Sequence, residues 1–382
     1  MPDYLARRRS LASHISGQCD CACPDGTYPE QVAPAPLIAY LEITPACTNR
    51  CIGCPNGPTF HQVLERPGIL RLSQWSFILN QMLPHLQRVK LTGGEPTLHC
   101  DFSEIVALLD DMAMPFDLFT NGRWQDPERL VRLLSETRHF GGCLISLHGP
   151  TADSHEAFNG VPGSFEETVR NIRLAAFQGI PVVLSTIITQ KNYALVDDLL
   201  ALGEELGVLH IVFNRYVGLP VLGISPTSFQ LTEAMCHVDR RRTEGYQVKF
   251  SVCIPQCLMP SSSQGCLAGI AACTIDPWGN MRPCNHAPLI VGNLLRQELG
   301  GLWHSESMAW WRERSEECSG CHMFFRCRGG CRAQAMLTGS EYDPLMMKGA
   351  CQSSVVQFDA WDIRTSSFAQ EVQDVCRYPC PF

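Results

Sequence analysis

No run of 18 apolar residues occurs anywhere in the chain, which excludes a membrane-spanning helix on sequence grounds. The basic start at Arg7, Arg8 and Arg9 runs into "SLASHISGQCDC", which lacks the apolar stretch of a secretory signal. Charge is scarce as well. Charged residues make up 18% of the chain and the net charge is −8, so there is no basic field to hold a nucleic acid or an acidic membrane surface. Residues 55 to 252 hold only three cysteines, Cys100, Cys143 and Cys236. A cytoplasmic protein with neither nucleic acid nor membrane as partner is expected.

Cysteine is abundant elsewhere. The 382 residues contain 21, and a reducing compartment keeps such thiols from building a disulfide framework. Metal is the natural use for them. Cys47, Cys51 and Cys54 stand in "ITPACTNRCIGCPNG", and eight more lie from Cys266 to Cys351.

After a proline-rich extension (residues 1–36), strand and helix patterns alternate over residues 37–245. The strand candidates are "LIAYLEI", "RVKLT", "FDLFT", "GCLISL", "VVLSTII" and "HIVFN". Helix patterns such as "SQWSFILNQML", "DPERLVRLLSE" and "SFEETVRNIRLAAF" separate them, and Asp101 with Glu104 is spaced as a capping box ahead of "FSEIVALLDDM". Serial units of this kind predict an α/β fold with a parallel sheet, either a partial (β/α)6 TIM-like barrel or an open wound sheet. In both, the active site lies at the carboxyl ends of the strands. Residues 246–355 lose this periodicity and carry Gly, Pro and Cys with one clear turn, "DPWGN", so a small cysteine-rich domain that needs metal for its shape is expected there, followed by a tail over 356–382.

Three thiolates on one tight loop hold three irons of a four-iron cluster and leave the fourth open to a substrate or cofactor. A zinc knuckle with His61 or His99 as distant fourth ligand is the alternative. The second strand runs into "TGGEP", where Gly93 and Gly94 permit close backbone approach and Glu95 can bind an ammonium group. Together, C-x3-C-x2-C after strand one and this turn after strand two resemble the radical S-adenosylmethionine superfamily over roughly residues 37 to 214.

The resemblance implies reductive cleavage of S-adenosylmethionine and hydrogen abstraction by a 5'-deoxyadenosyl radical. It implies that Cys47, Cys51 and Cys54 bind the catalytic cluster and that Gly93, Gly94 and Glu95 hold the methionyl amino group. Asn121 in "FTNG" and Ser146 in "ISLHG" would then contact ribose and carboxylate. One departure is visible: the residue before the third cysteine is often aromatic in this family, and here it is Gly53.

"CSGCHMFFRCRGGC" supplies Cys318, Cys321, Cys327 and Cys331, with Cys351 beyond it and Cys266, Cys273 and Cys284 upstream. This pattern resembles the SPASM domain, a zinc ribbon being the plainer alternative. The resemblance implies two auxiliary four-iron clusters, one on Cys266, Cys273, Cys284 and Cys331, the other on Cys318, Cys321, Cys327 and Cys351. Ten cysteines remain unplaced. Among them are Cys19, Cys21 and Cys23 near the start and Cys376 and Cys380 in the tail.

SPASM proteins as a group resemble maturases of ribosomally made peptides, of enzymes and of peptide-derived cofactors, so the resemblance implies an oxidative modification of a peptide substrate, such as a crosslink. Epimerisation, oxidation of a small molecule or tetrapyrrole side chain, and a non-catalytic electron carrier are the other readings. An electron donor such as flavodoxin or ferredoxin is implied. The 36 residues ahead of strand one are too few for a leader-binding domain, so a separate leader-binding protein, the barrel mouth or the tail must recognise the peptide. Asn285 follows Cys284 where sulfatase-maturating relatives carry an aspartate, and asparagine cannot act as that base.

Overall fold

The computed structural model describes residues 32–54, 68–221, 223–250, 254–259, 265–313, 316–318, 321 and 323–346. The expectations for Cys19, Cys21, Cys23, His61, Cys253, Cys351, Cys376 and Cys380 lie outside these residues.

Six strands form where β-branched and aromatic residues run together between turn signals: β1 (Ile38–Glu42), β2 (Arg88–Thr92), β3 (Phe116–Thr120), β4 (Phe140–Ser146), β5 (Val182–Ile187) and β6 (His210–Asn214). Each pairs in parallel with its sequence neighbour. The intervening helices are α1 (Leu72–Met82), α2 (Phe102–Asp111), α3 (Pro127–Glu136), α4 (Ala152–Asn159), α5 (Ser164–Phe177) and α6 (Val196–Glu205). Beyond them α7 (Ser228–Thr243) leads to a short strand, β7 (Val248–Phe250), which adds in parallel to β6. The result is a partial TIM-like barrel whose sheet stays open, with β7 at one end.

The other end of the same sheet belongs to the cysteine-rich region. Strand β8 (Ala272–Ile275) pairs in parallel with β1, then turns at Asp276 into β9 (Asn280–Arg282), which pairs with β10 (Gly292–Asn293). Asp276 Oδ1 makes that turn by accepting from Trp278 N and Asn280 N, both at 2.9 Å. The DPWGN signal thus marks a hairpin that extends the barrel sheet, and the core the segment lacks on its own is supplied by β1.

Strand alternation sorts the side chains. Ala39, Leu41, Val89, Leu91, Cys273 and Ile275 face the helices and pack with Trp75, Ile78 and Leu79 in the main core. Positions between them carry polar groups on the opposite face: Tyr40, Glu42, Lys90, Asp117, Thr274 and Arg282. These charges are paired, as burial demands. Asp117 takes Lys90 at 2.5 Å and Arg88 at 2.9 Å, and Arg282 pairs with Glu42.

The capping box expected at Asp101 does not form. The Asp101 carboxylate is taken instead by Arg71 at 2.6 and 2.7 Å and by Leu72 N at 3.0 Å, tying the start of α2 to the start of α1. A charged partner thirty residues back outcompetes the local amide.

Among the described residues, no helix is long and apolar enough to cross a membrane.

Candidate active site

The loop after β1 carries Cys47, Cys51 and Cys54, none of them in a disulfide. Backbone bonds fix its shape: Arg50 N and Ile52 N donate to Asn159 O and Phe158 O at the end of α4, and Cys54 N donates to Cys51 O. Desolvation pushes the Cys47 thiol up to about 11, and the neighbouring Glu95 and Cys54 add to it. Burial also raises Cys51, reinforced by the charges of Cys54 and Cys47. Three thiols that repel one another when ionised suit a multivalent cation, which reverses that cost. The donor set therefore fits an iron cluster with three protein ligands.

His99 does not complete a zinc knuckle. Its Nε2 lies 2.9 Å from Leu70 O and its Nδ1 accepts from Asp101 N at 2.9 Å, so both ring nitrogens are committed. His99, Cys100 and Asp101 do bring ligand-type atoms within 4.8 Å of one another, but the Asp101 carboxylate is held by Arg71.

The turn after β2 lies directly against the cysteine loop. Gly94 N donates to Thr44 O and Glu95 N to Ala46 O, both at 2.7 Å. A Cβ at Gly94 would collide with the backbone carbonyls of Ala46 and Pro45, so only glycine lets the two loops meet this closely. Glu95 is fully buried, and its carboxylate accepts from Thr97 Oγ1 at 2.7 Å, Thr120 Oγ1 at 2.8 Å and Asn121 N at 2.8 Å. Burial raises its pKa, and these hydrogen bonds oppose the shift.

Asn121 belongs to the same knot. Its Nδ2 reaches Thr48 Oγ1 at 2.8 Å and Cys47 Sγ at 3.6 Å, while its Oδ1 accepts from Arg123 N at 2.8 Å. Ser146, at the end of β4, sits in register with Ser185, whose Oγ accepts from Asn214 Nδ2 at 3.0 Å.

Several residues of the site went unread in the sequence. Arg123 Nη1 donates to Thr48 O at 2.6 Å and to Asn49 Oδ1 at 3.0 Å, and its Nε pairs with Glu167 at 2.8 Å, bracing the cysteine loop from α5. Its place two residues after Asn121 was the available signal. Tyr216, just past β6, has its ring against Gly53: a Cβ there would run into Tyr216 Oη, with the ring carbons 2.7 and 2.8 Å away. Position 53 carries no aromatic side chain, and the ring of Tyr216, from the segment after β6, lies against it. No local pattern announces it.

In the cysteine-rich region, burial and then the charges of Cys266 and Cys331 raise the Cys284 thiol, so these three sulfurs are electrostatic neighbours. Tyr40, on β1, senses both Cys266 and Cys284, and its ring meets Phe119 edge-on at 5.9 Å. Cys273 does not join them. It is fully buried on the helix-facing side of β8, and burial is the sole cause of its raised pKa. The residue after it, Thr274, pairs with Tyr40 on the cluster side, so alternation turns Cys273 away. Cys318 and Cys321 form a second buried group with Phe324, and Cys327 Sγ accepts from Gln256 N at 3.4 Å.

Residues 41–202 match the Radical SAM superfamily, and residues 266–322 match the SPASM iron-sulfur cluster-binding domain. The chain is 30% identical to the mycofactocin maturase MftC of Mycobacterium tuberculosis over 81% of each chain. It is also 29% identical to an AdoMet-dependent heme synthase of Nitratidesulfovibrio vulgaris, over 64% of this chain and 73% of that one. Among solved structures, Streptococcus suis SuiB bound to precursor peptide SuiA superposes with a TM-score of 0.70 at 16% identity, covering 84% of this chain and 77% of that one. Thiol loop, glycine turn and second thiol domain occur here in the order and places of that family, and the chain is a radical S-adenosylmethionine superfamily enzyme with a C-terminal SPASM domain, using S-adenosylmethionine and four-iron clusters.

Proposed function

We propose that this enzyme matures a ribosomally made peptide by an oxidative modification such as a crosslink. The similarity to a mycofactocin maturase across 81% of each chain carries this reading. The 27% identity to the PqqA peptide cyclase of Gluconobacter oxydans supports it, as does the fold shared with a structure that holds a precursor peptide. When bound, the cluster and S-adenosylmethionine supply a 5'-deoxyadenosyl radical that removes hydrogen from substrate.

The chain's own residues have separable tasks in this reading. Cys47, Cys51 and Cys54 hold the catalytic cluster, and Arg123 and Asn121 keep their loop in shape. Gly93 and Gly94 admit the cofactor's amino end beside Glu95, Ser146 faces its carboxylate, and the Tyr216 ring offers the flat apolar surface an adenine needs. Cys266, Cys284 and Cys331 serve one auxiliary cluster, and Cys318, Cys321, Cys327 and Cys351 the other. A flavodoxin or ferredoxin supplies the electron, and a separate leader-binding protein presents the peptide.

The expected product has lost a hydrogen pair, with one S-adenosylmethionine consumed per turnover. The auxiliary clusters that Cys266, Cys284 and Cys331 and Cys318, Cys321, Cys327 and Cys351 would hold would accept the one electron left after a hydrogen atom and a proton are lost from the substrate. Mass spectrometry in deuterated water on a precursor peptide encoded beside the gene checks this. A product of unchanged composition with one solvent deuterium at an α-carbon would instead mean epimerisation. The heme synthase similarity favours a second reading, oxidation of a tetrapyrrole side chain. Porphyrin turnover, followed by visible absorption, with no peptide product would establish it.

A further inference from the structure

A buried ion pair joins the end of β6 to the cysteine-rich region. Arg215 Nη1 lies 2.6 Å from Asp343 Oδ2, with side-chain exposures of 3% and 0%. The same oxygen accepts from Cys331 N at 2.6 Å, and Oδ1 accepts from Leu345 N at 3.0 Å, so the carboxylate is pinned between backbone amides. Two further bonds hold the loop after β6 in place: Gly218 N donates to Gln334 Oε1 at 2.7 Å, and Gln334 Nε2 donates to Gly218 O at 3.0 Å. Arg215 therefore has a fixed position beside Cys331. Arg215 Nη1 and Cys331 N share one carboxylate oxygen, which sets the guanidinium next to the backbone of that cysteine.

Stability explains this pair poorly. Removing two charges from water costs several kcal/mol per ion, and an apolar pair of equal volume would join the segments without that penalty. A cation fixed in a low-dielectric site acts strongly on any neighbour whose charge changes. Net charge around an iron–sulfur cluster is one of the main determinants of its reduction potential.

We propose that Arg215, held by Asp343, is a tuning residue that makes the auxiliary cluster on Cys331 easier to reduce and so readies it to take the substrate's electron. The inference rests on reading Cys331 as a cluster ligand. It requires the guanidinium and carboxylate to act with opposite sign.

The test uses the full-length protein, reconstituted anaerobically, with Cys47, Cys51 and Cys54 replaced by alanine so that only auxiliary signals remain. Midpoints are read by electron paramagnetic resonance during potentiometric titration. Arg215→Met is expected to move the midpoint of one auxiliary cluster to more negative potential, Asp343→Asn to move the same cluster to more positive potential, and Arg215→Lys to stay near the parent. Two unmoved midpoints, or two shifts of the same sign, would overturn the proposal. If Arg215→Met fails to hold iron, the Asp343→Asn shift decides: positive supports, absent refutes. Cys331→Ala in the same background separates the two levels of the argument, because unchanged auxiliary signals there would remove the ligand assignment itself.

Discussion

Replacing Cys47, Cys51 and Cys54 together by alanine is expected to reduce iron from about 12 to about eight per chain and to abolish 5'-deoxyadenosine formation. The three thiols share one short loop held by α4 and Arg123, whereas Cys284 with Cys331, and Cys318 with Cys321, belong to two separate buried clusters. Loss of one cluster should therefore spare the rest. Iron analysis after anaerobic reconstitution, paired with chromatographic detection of deoxyadenosine, measures both effects. Full iron content in the triple variant would mean that the catalytic and auxiliary sites are not separate. Because Cys273 faces the helices, Cys273→Ala should leave the iron content at the parent value, an internal check on the grouping of the other thiols.

The second large effect is expected at Glu95. Glu95→Gln keeps the shape but removes the charge, at a cost of roughly 1.5–3 kcal/mol for a charge-assisted bond, or about ten- to hundredfold in S-adenosylmethionine affinity. The amide also turns a donor toward Thr97, Thr120 and Asn121, all of which now donate to the carboxylate. Calorimetric titration of the reconstituted protein measures the loss. Thermal denaturation of the unliganded form separates this disturbance from the missing charge: if stability falls but binding is untouched, Glu95 only braces the loops.

Much of this was legible in the sequence because it is local. "RVKLT", "FDLFT" and "HIVFN" coincide with β2, β3 and β6, since alternation and β-branching act over a few residues. Helix α4 was missed because its capping partner for Thr151 is Ser154 where Glu or Gln is the usual sign. Asp101 looked like a cap and became the partner of Arg71. Cysteine spacing pointed to iron-sulfur chemistry, which the two family matches bear out, yet spacing cannot say which face of a strand a thiol takes, and Cys273 lies on the helix-facing one. Arg215, Tyr216 and Arg123 reach their positions through contacts spanning dozens of residues or more, which no window of sequence contains.

The pairing of β8 with β1 has a consequence for how the protein is made. Ile38 lies opposite Ala272, so one edge of the first strand waits for a partner more than two hundred residues downstream. Contacts that distant form late and slow folding. Until residue 275 has left the ribosome, β1 exposes an unpaired edge that can capture another chain. Fragments ending after β7 should consequently aggregate during expression, and production of this enzyme is best attempted slowly, at low temperature and with the cysteine-rich region intact.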